Sequence, residues 1–417
     1  MNHMQTKRSP AKWLLLLWSL LGPGMLAALA GNDAGGVISY AVTGAKFGTG
    51  FFIPLTLCLV LITYTVQEMA MRLGVVTSKG YVHLIRERYG KFWMLYQLIS
   101  LIIENLITLV TEFIGMSAGL IIIGLPMWAA VAVSLALVLS IALISGYSTK
   151  ERIALIIGIL NIAFVIVALL TKPDFSAIGR AFIHWNVPQH THVDLAWYVV
   201  ALIGNAIAPW MIFYQNSAYI DKGVKTEDIH YGRFDTLIGC ICQVLVAAFI
   251  IVIGASLFGF MPNLEQVGPA QLIAVLNQHF GFVAALLFGM GLFNSGLLAA
   301  ITVSLSSSWS VAEAFGWSKS LNDKVREAPK FYAIYFASVF LAAGAVLLPN
   351  LPLNHLSVLA QVLGGILMTP ILLFLTLLTS NKEVMGEFKN GHSANVRAWL
   401  AVVVLIGASV LTVWNIF

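Results

Sequence analysis

Leu29-Ala30-Gly31-Asn32-Asp33-Ala34-Gly35-Gly36 interrupts an apolar run long enough to cross a bilayer. Three glycines and a carboxylate stand where a membrane helix should be continuous. An acid at the centre of a span costs about 2.5–3.5 kcal/mol on insertion scales, so something must offset it. A bound cation does so, aided by the negative carbonyl ends of half-helices stopping at the break. The alternative is a cap, in which Asn32 or Asp33 satisfies the first amides of the second half-helix; the two roles are compatible. A second break lies in Gly204-Asn205-Ala206-Ile207-Ala208-Pro209-Trp210, where Pro209 removes a donor and clashes with the preceding turn. Each break frees backbone carbonyls, which survive at membrane depth only where they line a cavity or lie buried in protein. Broken helices at matching points of two halves mark a transporter site between inverted repeats. Residues 1–172 and 194–380 are the expected halves of a single transporter domain, with 396–417 an added span.

The rest of the chain fits this frame. Of 417 residues, 59% are hydrophobic and 10% charged, far below the roughly 25% charged of soluble domains. The apolar residues come in runs of the length that spans about 30 Å of hydrocarbon. Eleven spans are expected, near residues 13–46, 50–76, 92–123, 126–147, 152–171, 195–221, 234–260, 280–315, 331–349, 355–380 and 397–416, giving an all-α polytopic fold. With the N-terminus cytoplasmic, only Lys46, Lys172 and Arg180 of the 23 Lys and Arg residues fall outside. That bias predicts an extracellular C-terminus. The cations sit in short links, which excludes a nucleic-acid face. Cys58, Cys240 and Cys242 are expected to be buried apolar thiols without a disulfide framework. Ala28-Leu29-Ala30 mimics a signal-peptidase site, but the run continues through Val37 to Val42 as a second half-span. No HExxH string is present, and Gly115-Met116-Ser117-Ala118-Gly119 matches the GxSxG spelling only inside the apolar third span, not at a nucleophile elbow, so no enzyme is expected. A bacterial plasma membrane is the expected location, because the chain lacks an N-x-S/T sequon.

Several strings resemble the NRAMP divalent-metal transporters. Gly22-Pro23-Gly24 followed by Asn32-Asp33-Ala34-Gly35-Gly36 is similar to that family's GPG and DPGN. Gln67-Glu68-Met69-Ala70-Met71-Arg72-Leu73-Gly74-Val75-Val76-Thr77 resembles its LQxLAxRLGVVTGK. Thr111-Glu112-Phe113-Ile114-Gly115 resembles AExIG, and Thr379-Ser380-Asn381-Lys382-Glu383-Val384-Met385-Gly386 resembles TSNxxLMG. The resemblance implies a LeuT-like fold of five plus five helices, an expected monomer in the bilayer, and divalent ions as the transported partner with no resident cofactor.

The departures are informative. Gly36 stands where the family has its metal-binding asparagine, and Ala208 and Trp210 where it has methionine and histidine. Leu109 replaces an acid, and the ninth span has no arginine in its interior. Gly296-Leu297-Leu298-Ala299-Ala300-Ile301-Thr302-Val303 replaces GQSSTxTG. These changes resemble the NRAMP-related magnesium transporters. Losing a soft thioether removes the preference for later transition metals, and Mg²⁺ keeps several waters on few carboxylates. The expected ion site is therefore roomy and oxygen-lined: Asp33, Asn205, the breaks at Ala30, Gly36 and Ala208, and Gln361, because the family has a glutamine in that region. Mg²⁺ and Mn²⁺ should both pass, without proton coupling, since Trp210, Leu109 and the ninth span cannot relay protons. The alternatives are a proton-coupled Mn²⁺ or Fe²⁺ carrier and an organic-solute transporter; Asp33 argues against a carboxylate substrate. Glu104 and Glu112 share a face of the third span, as a second polar site or as structural acids. Glu68 and Arg72 should pair locally. His184, His190 and His192 offer metal capture in the outer loop, or line an ordinary wet loop. Trp399 and Trp414 suit the two interfaces.

Overall fold

The computed structural model describes residues 21–144, 146–187, 192–261, 267–348 and 353–416, without the side chains of 192–194, 353–355 and 411–416. Lys7, Arg8, Lys12, His190 and the side chains of His192 and Trp414 lie outside that set. Among the described residues the regular structure is helical throughout, as expected for a backbone that must satisfy its own hydrogen bonds in lipid.

The first expected span is two helices, α1 (Pro23–Ala30) and α2 (Ala34–Phe47). Then come α3 (Phe52–Thr77), the short amphipathic α4 (Tyr81–Tyr89), α5 (Lys91–Ile121) and α6 (Met127–Leu143). The fifth span is also divided, into α7 (Tyr147–Ile159) and α8 (Ile162–Leu170), and α9 (Phe175–Ala181) follows. The sixth is α10 (His192–Ala206) and α11 (Pro209–Lys222), followed by α12 (Ile229–Ala255). Helix α13 (Pro269–Phe315) kinks at Gly281, whose φ of 85° lies in the region that favours glycine. The chain ends with α14 (Pro329–Val346), α15 (Leu353–Ser380), α16 (Lys382–Met385) and α17 (His392–Ile416).

Among the described residues, nine helices are long and apolar enough to cross a membrane. The sequence count of eleven exceeds this because α6 is a shorter apolar helix and the first span is broken. The broken helices form the centre. Helix α12 packs against α1, α2 and α3, α13 against α5, and α10 against α15. Small residues permit the approach, as in membrane bundles generally: a side chain on Gly204 would collide with the Gln361 carbonyl. That contact places Gln361 beside the second break. Large apolar side chains such as Leu61, Phe92, Trp128 and Ile156 face outward, as a lipid solvent allows. Cys58 faces outward with them, correcting the expectation of a buried thiol; Cys240 is buried and Cys242 partly so.

Candidate functional site at the two helix breaks

Helix α1 stops where Gly31 and Asn32 close the last turn onto Ala27, Ala28 and Leu29 carbonyls. Asp33 is extended (φ −63°, ψ 167°) and caps α2: its Oδ1 accepts from the Gly36 amide at 2.5 Å. Gln361 Nε2 donates to the same oxygen at 3.1 Å. The cap expected from sequence is therefore present, but among the described residues no bond reaches Oδ2. Asp33 is 2% exposed. Its neighbour Ala34 gives its amide to Glu112 Oε2 at 2.8 Å, so Glu112 is a second acid at the start of α2.

At the second break Ala208 is extended (φ −60°, ψ 145°) and Pro209 opens α11. Asn205 lies one turn earlier and is 1% exposed, with neither Oδ1 nor Nδ2 hydrogen-bonded. It points at the first break: the place a Cβ on Gly36 would take lies 2.7 Å from Asn205 Oδ1 and 2.9 Å from Asp33 Oδ1. Four of the six expected residues, Asp33, Gly36, Asn205 and Gln361, are thus brought together. Ala30 and Ala208 stand at the helix ends on either side. The Ala208 carbonyl accepts the Met211 amide at 3.1 Å, whereas among the described residues no donor reaches the Ala30 carbonyl.

Two expectations need correction. The volume freed by glycine at position 36 is not open, because Asn205 closes over it. Nor are the loosened carbonyls all available: Gln243 Nε2 approaches those of Asn205 and Ala206 at 3.5 and 3.2 Å, and Asn161 Nδ2 takes that of Leu29 at 3.3 Å. Asn161 in turn accepts from Asn294 at 2.6 Å and Ser295 at 3.2 Å. Its turn, Leu160–Asn161, is what divides the fifth span. Gln243, Asn161 and Asn294 were missed from sequence; the signal available was an amide inside an apolar run.

The donor set at the junction of Asp33, Asn205 and Gln361 is oxygen and amide. Met211 approaches Gly31, but its nearest atom is the methyl carbon, 2.9 Å from the Cβ position. Trp210 is fully buried with Nε1 unpaired, and an indole N–H only donates. His184 is exposed, whereas Asp33, Asn205 and Gln361 are buried. Such a site can hold a hard cation through one carboxylate and neutral oxygens.

The chain is 25% identical over 421 residues to the divalent metal cation transporter MntH of Yersinia pestis (strain Pestoides F), covering 97% of this chain and 96% of the relative. It is 25% identical over 416 residues to the natural resistance-associated macrophage protein 2 homolog of Dictyostelium discoideum, covering 96% of this chain but 64% of that longer protein. A crystal structure of the Eremococcus coleocola manganese transporter, in complex with an aromatic bis-isothiourea substituted compound, superposes with a TM-score of 0.74 at 20% identity, over 100% of this chain and 88% of that one. A Na⁺-coupled sialic acid symporter matches at 0.61 and 13%, over 93% and 89%, which supports the LeuT-like fold. The family model described as natural resistance-associated macrophage protein-like matches residues 24–415. Two broken helices meeting at a buried aspartate thus sit in a chain that belongs to the Nramp family, whose members are transporters and not enzymes.

Proposed function

We propose that the chain carries divalent metal ions, Mg²⁺ and Mn²⁺, across the membrane as a magnesium-transporting branch of its family, without proton coupling. The observation that carries this reading is the pair formed by Asp33 and Asn205. Among the described residues Asp33 is bonded through Oδ1 alone, and it faces a buried amide with no hydrogen bond of its own. Buried polar groups are normally paired, so both have capacity left for a ligand. An amide with no bond to break turns readily to admit a hydrated ion.

The absence of a thioether at Ala208 and of an asparagine at Gly36 leaves a hard, sparse donor set, which suits an ion that keeps most of its water. Twenty of 23 Lys and Arg residues on one side support a cytoplasmic N-terminus and an extracellular C-terminus in a bacterial plasma membrane. The membrane potential then drives entry with about 2.3 kcal/mol per charge per 100 mV, roughly twice that for a dication. The halves 1–172 and 194–380 are proposed as the inverted repeats, working as a monomer. A proton-coupled Mn²⁺ or Fe²⁺ carrier has Met211 beside Gly31 in its favour, though the methyl and not the sulfur is nearest.

Uptake of Mg²⁺ into proteoliposomes holding a lumenal pH dye separates the two. The proposal expects potential-driven uptake with no lumenal acidification, and loss of uptake in Asp33→Ala. Acidification in step with uptake supports the coupled carrier instead.

A further inference from the structure

Helix α5 carries two acids on one face, Glu104 and Glu112, and they differ in what they have left to bind. Glu112 accepts the Ala34 amide at 2.8 Å on Oε2 and the Thr111 hydroxyl at 3.3 Å on Oε1. Among the described residues Glu104 accepts only the Thr108 hydroxyl, at 3.0 Å on Oε1. Its Oε2 is buried without a partner, in a residue 3% exposed. An ionised carboxylate enclosed at membrane depth needs a donor or a positive charge, or else takes up a proton, and no described side chain supplies a donor or charge to Oε2.

Helix α15 places Glu104 near the ion site. Gln361, which holds Asp33, and Gly364 are one turn apart, about 4.5 Å along the axis. The position of a Cβ on Gly364 lies 3.7 Å from Glu104 Oε1 and 3.7 Å from Pro209 Cδ. Glu104 and the start of α11 thus approach the same glycine of α15, and the second break there has no side-chain cap. Asp33 serves the first break and Glu104 borders the second, with the unpaired Asn205 amide set in the second break and facing Asp33.

Charge specifies the ligand. Of the two acids of α5, Glu112 is bonded through both oxygens beside Asp33, whereas Glu104 keeps one buried oxygen free for a donor on the ion. A carboxylate outside the inner ligands can act on a dication through its water without touching the metal. Mg²⁺ is typically held through one or two carboxylates with its water retained, and a metal-bound water is the donor Oε2 lacks.

We propose that Glu104 is the second carboxylate of the ion site, accepting a hydrogen bond from water on the dication while Asp33 faces the ion. This rests on the reading of the chain as a carrier of hydrated dications. It assigns Glu104 a positioning role, distinct from the capping role of Glu112.

The test is the initial rate of Mg²⁺ uptake into proteoliposomes over a range of Mg²⁺, for wild type, Glu104→Gln, Glu104→Asp and Asp33→Ala, with thermal unfolding of each purified protein. Glu104→Gln keeps the shape of a neutral acid and removes the charge. It is expected to raise the half-saturating Mg²⁺ about tenfold or more, with maximal rate and unfolding midpoint near wild type. Glu104→Asp keeps the charge and is expected to stay within about threefold of wild type. Wild-type saturation in Glu104→Gln overturns the proposal and marks Glu104 as a protonated structural acid; if Asp33→Ala is inactive in the same assay, the dication reading still stands. Equal damage in both Glu104 variants with lowered unfolding midpoints also overturns it, in favour of packing. Full uptake in Asp33→Ala removes the dication reading itself, and the role of Glu104 with it.

Discussion

Asn32 donates its side-chain amide to the Gln243 carbonyl at 3.0 Å, while the Gln243 side chain reaches the Ala206 carbonyl at 3.2 Å. One residue of the unbroken helix α12 therefore ties the two breaks to each other. Gln67 supports its other end, at 3.4 Å to Oε1. Unwound backbone at membrane depth stays polar, and here the protein rather than lipid or solvent satisfies part of it.

Gln243→Leu keeps the bulk and removes the amide that serves the second break. An unsatisfied buried acceptor costs about 1–3 kcal/mol. A lowered unfolding midpoint in detergent is expected, together with slower Mg²⁺ uptake. A midpoint equal to wild type shows that the stitch contributes nothing.

Asp235 holds the start of α1. Its carboxylate accepts the amides of Gly22 and Gly24 at 2.8 Å each and of Met25 at 3.1 Å, and Tyr219 Oη donates to it at 2.7 Å. Charge-assisted bonds of this kind are about twice as strong as neutral ones. Asp235→Ala should loosen α1, so that a cysteine placed at the buried Leu26 is alkylated about tenfold faster than in the parent, as a loss of some 1.4 kcal/mol of protection implies. Unchanged alkylation shows that α1 is held by packing alone.

Gly36 admits the Asn205 side chain next to Asp33. Gly36→Val would press its branched carbon on two side-chain oxygens rather than on backbone, so folding should survive while the ion seat is blocked. The expected result is a monodisperse protein with wild-type yield and little Mg²⁺ uptake. Normal uptake places the ion path elsewhere.

Arg72 pairs with Glu68 at 2.8 Å, as its spacing predicts, and also reaches Asn390 Oδ1 at 2.6 Å and the Phe388 carbonyl. Arg233 is a second partner for Glu68 at 2.9 Å. A lysine cannot reproduce that fork. Arg72→Lys should lower stability by about 1–3 kcal/mol through donors lost to buried acceptors, measured as a drop in the unfolding midpoint. Equal stability makes Arg72 a simple charge.

Residues that break a pattern were legible in the sequence. Gly31 to Gly36 and Pro209 violate helix chemistry locally, and Glu68 and Arg72 declare their pairing by a spacing of four. Gln243, Asn161 and Asp235 carry no such local mark. Their partners lie 16 to 213 residues away, and an amide in an apolar run looks the same whether it faces a break or a neighbouring helix. Gly36 was read as space because a missing side chain suggests a void. The space is filled from Asn205, on another helix, which no reading of position 36 alone reveals.

Transport by this site requires a cation seated between Asp33 and Asn205. Anomalous diffraction from crystals grown with Mn²⁺ tests this most directly. A single anomalous peak beside the Asp33 carboxylate and the Asn205 amide oxygen is expected, and it should vanish in Asp33→Ala. A Mn²⁺ peak remote from both residues, or one that persists in Asp33→Ala, contradicts it.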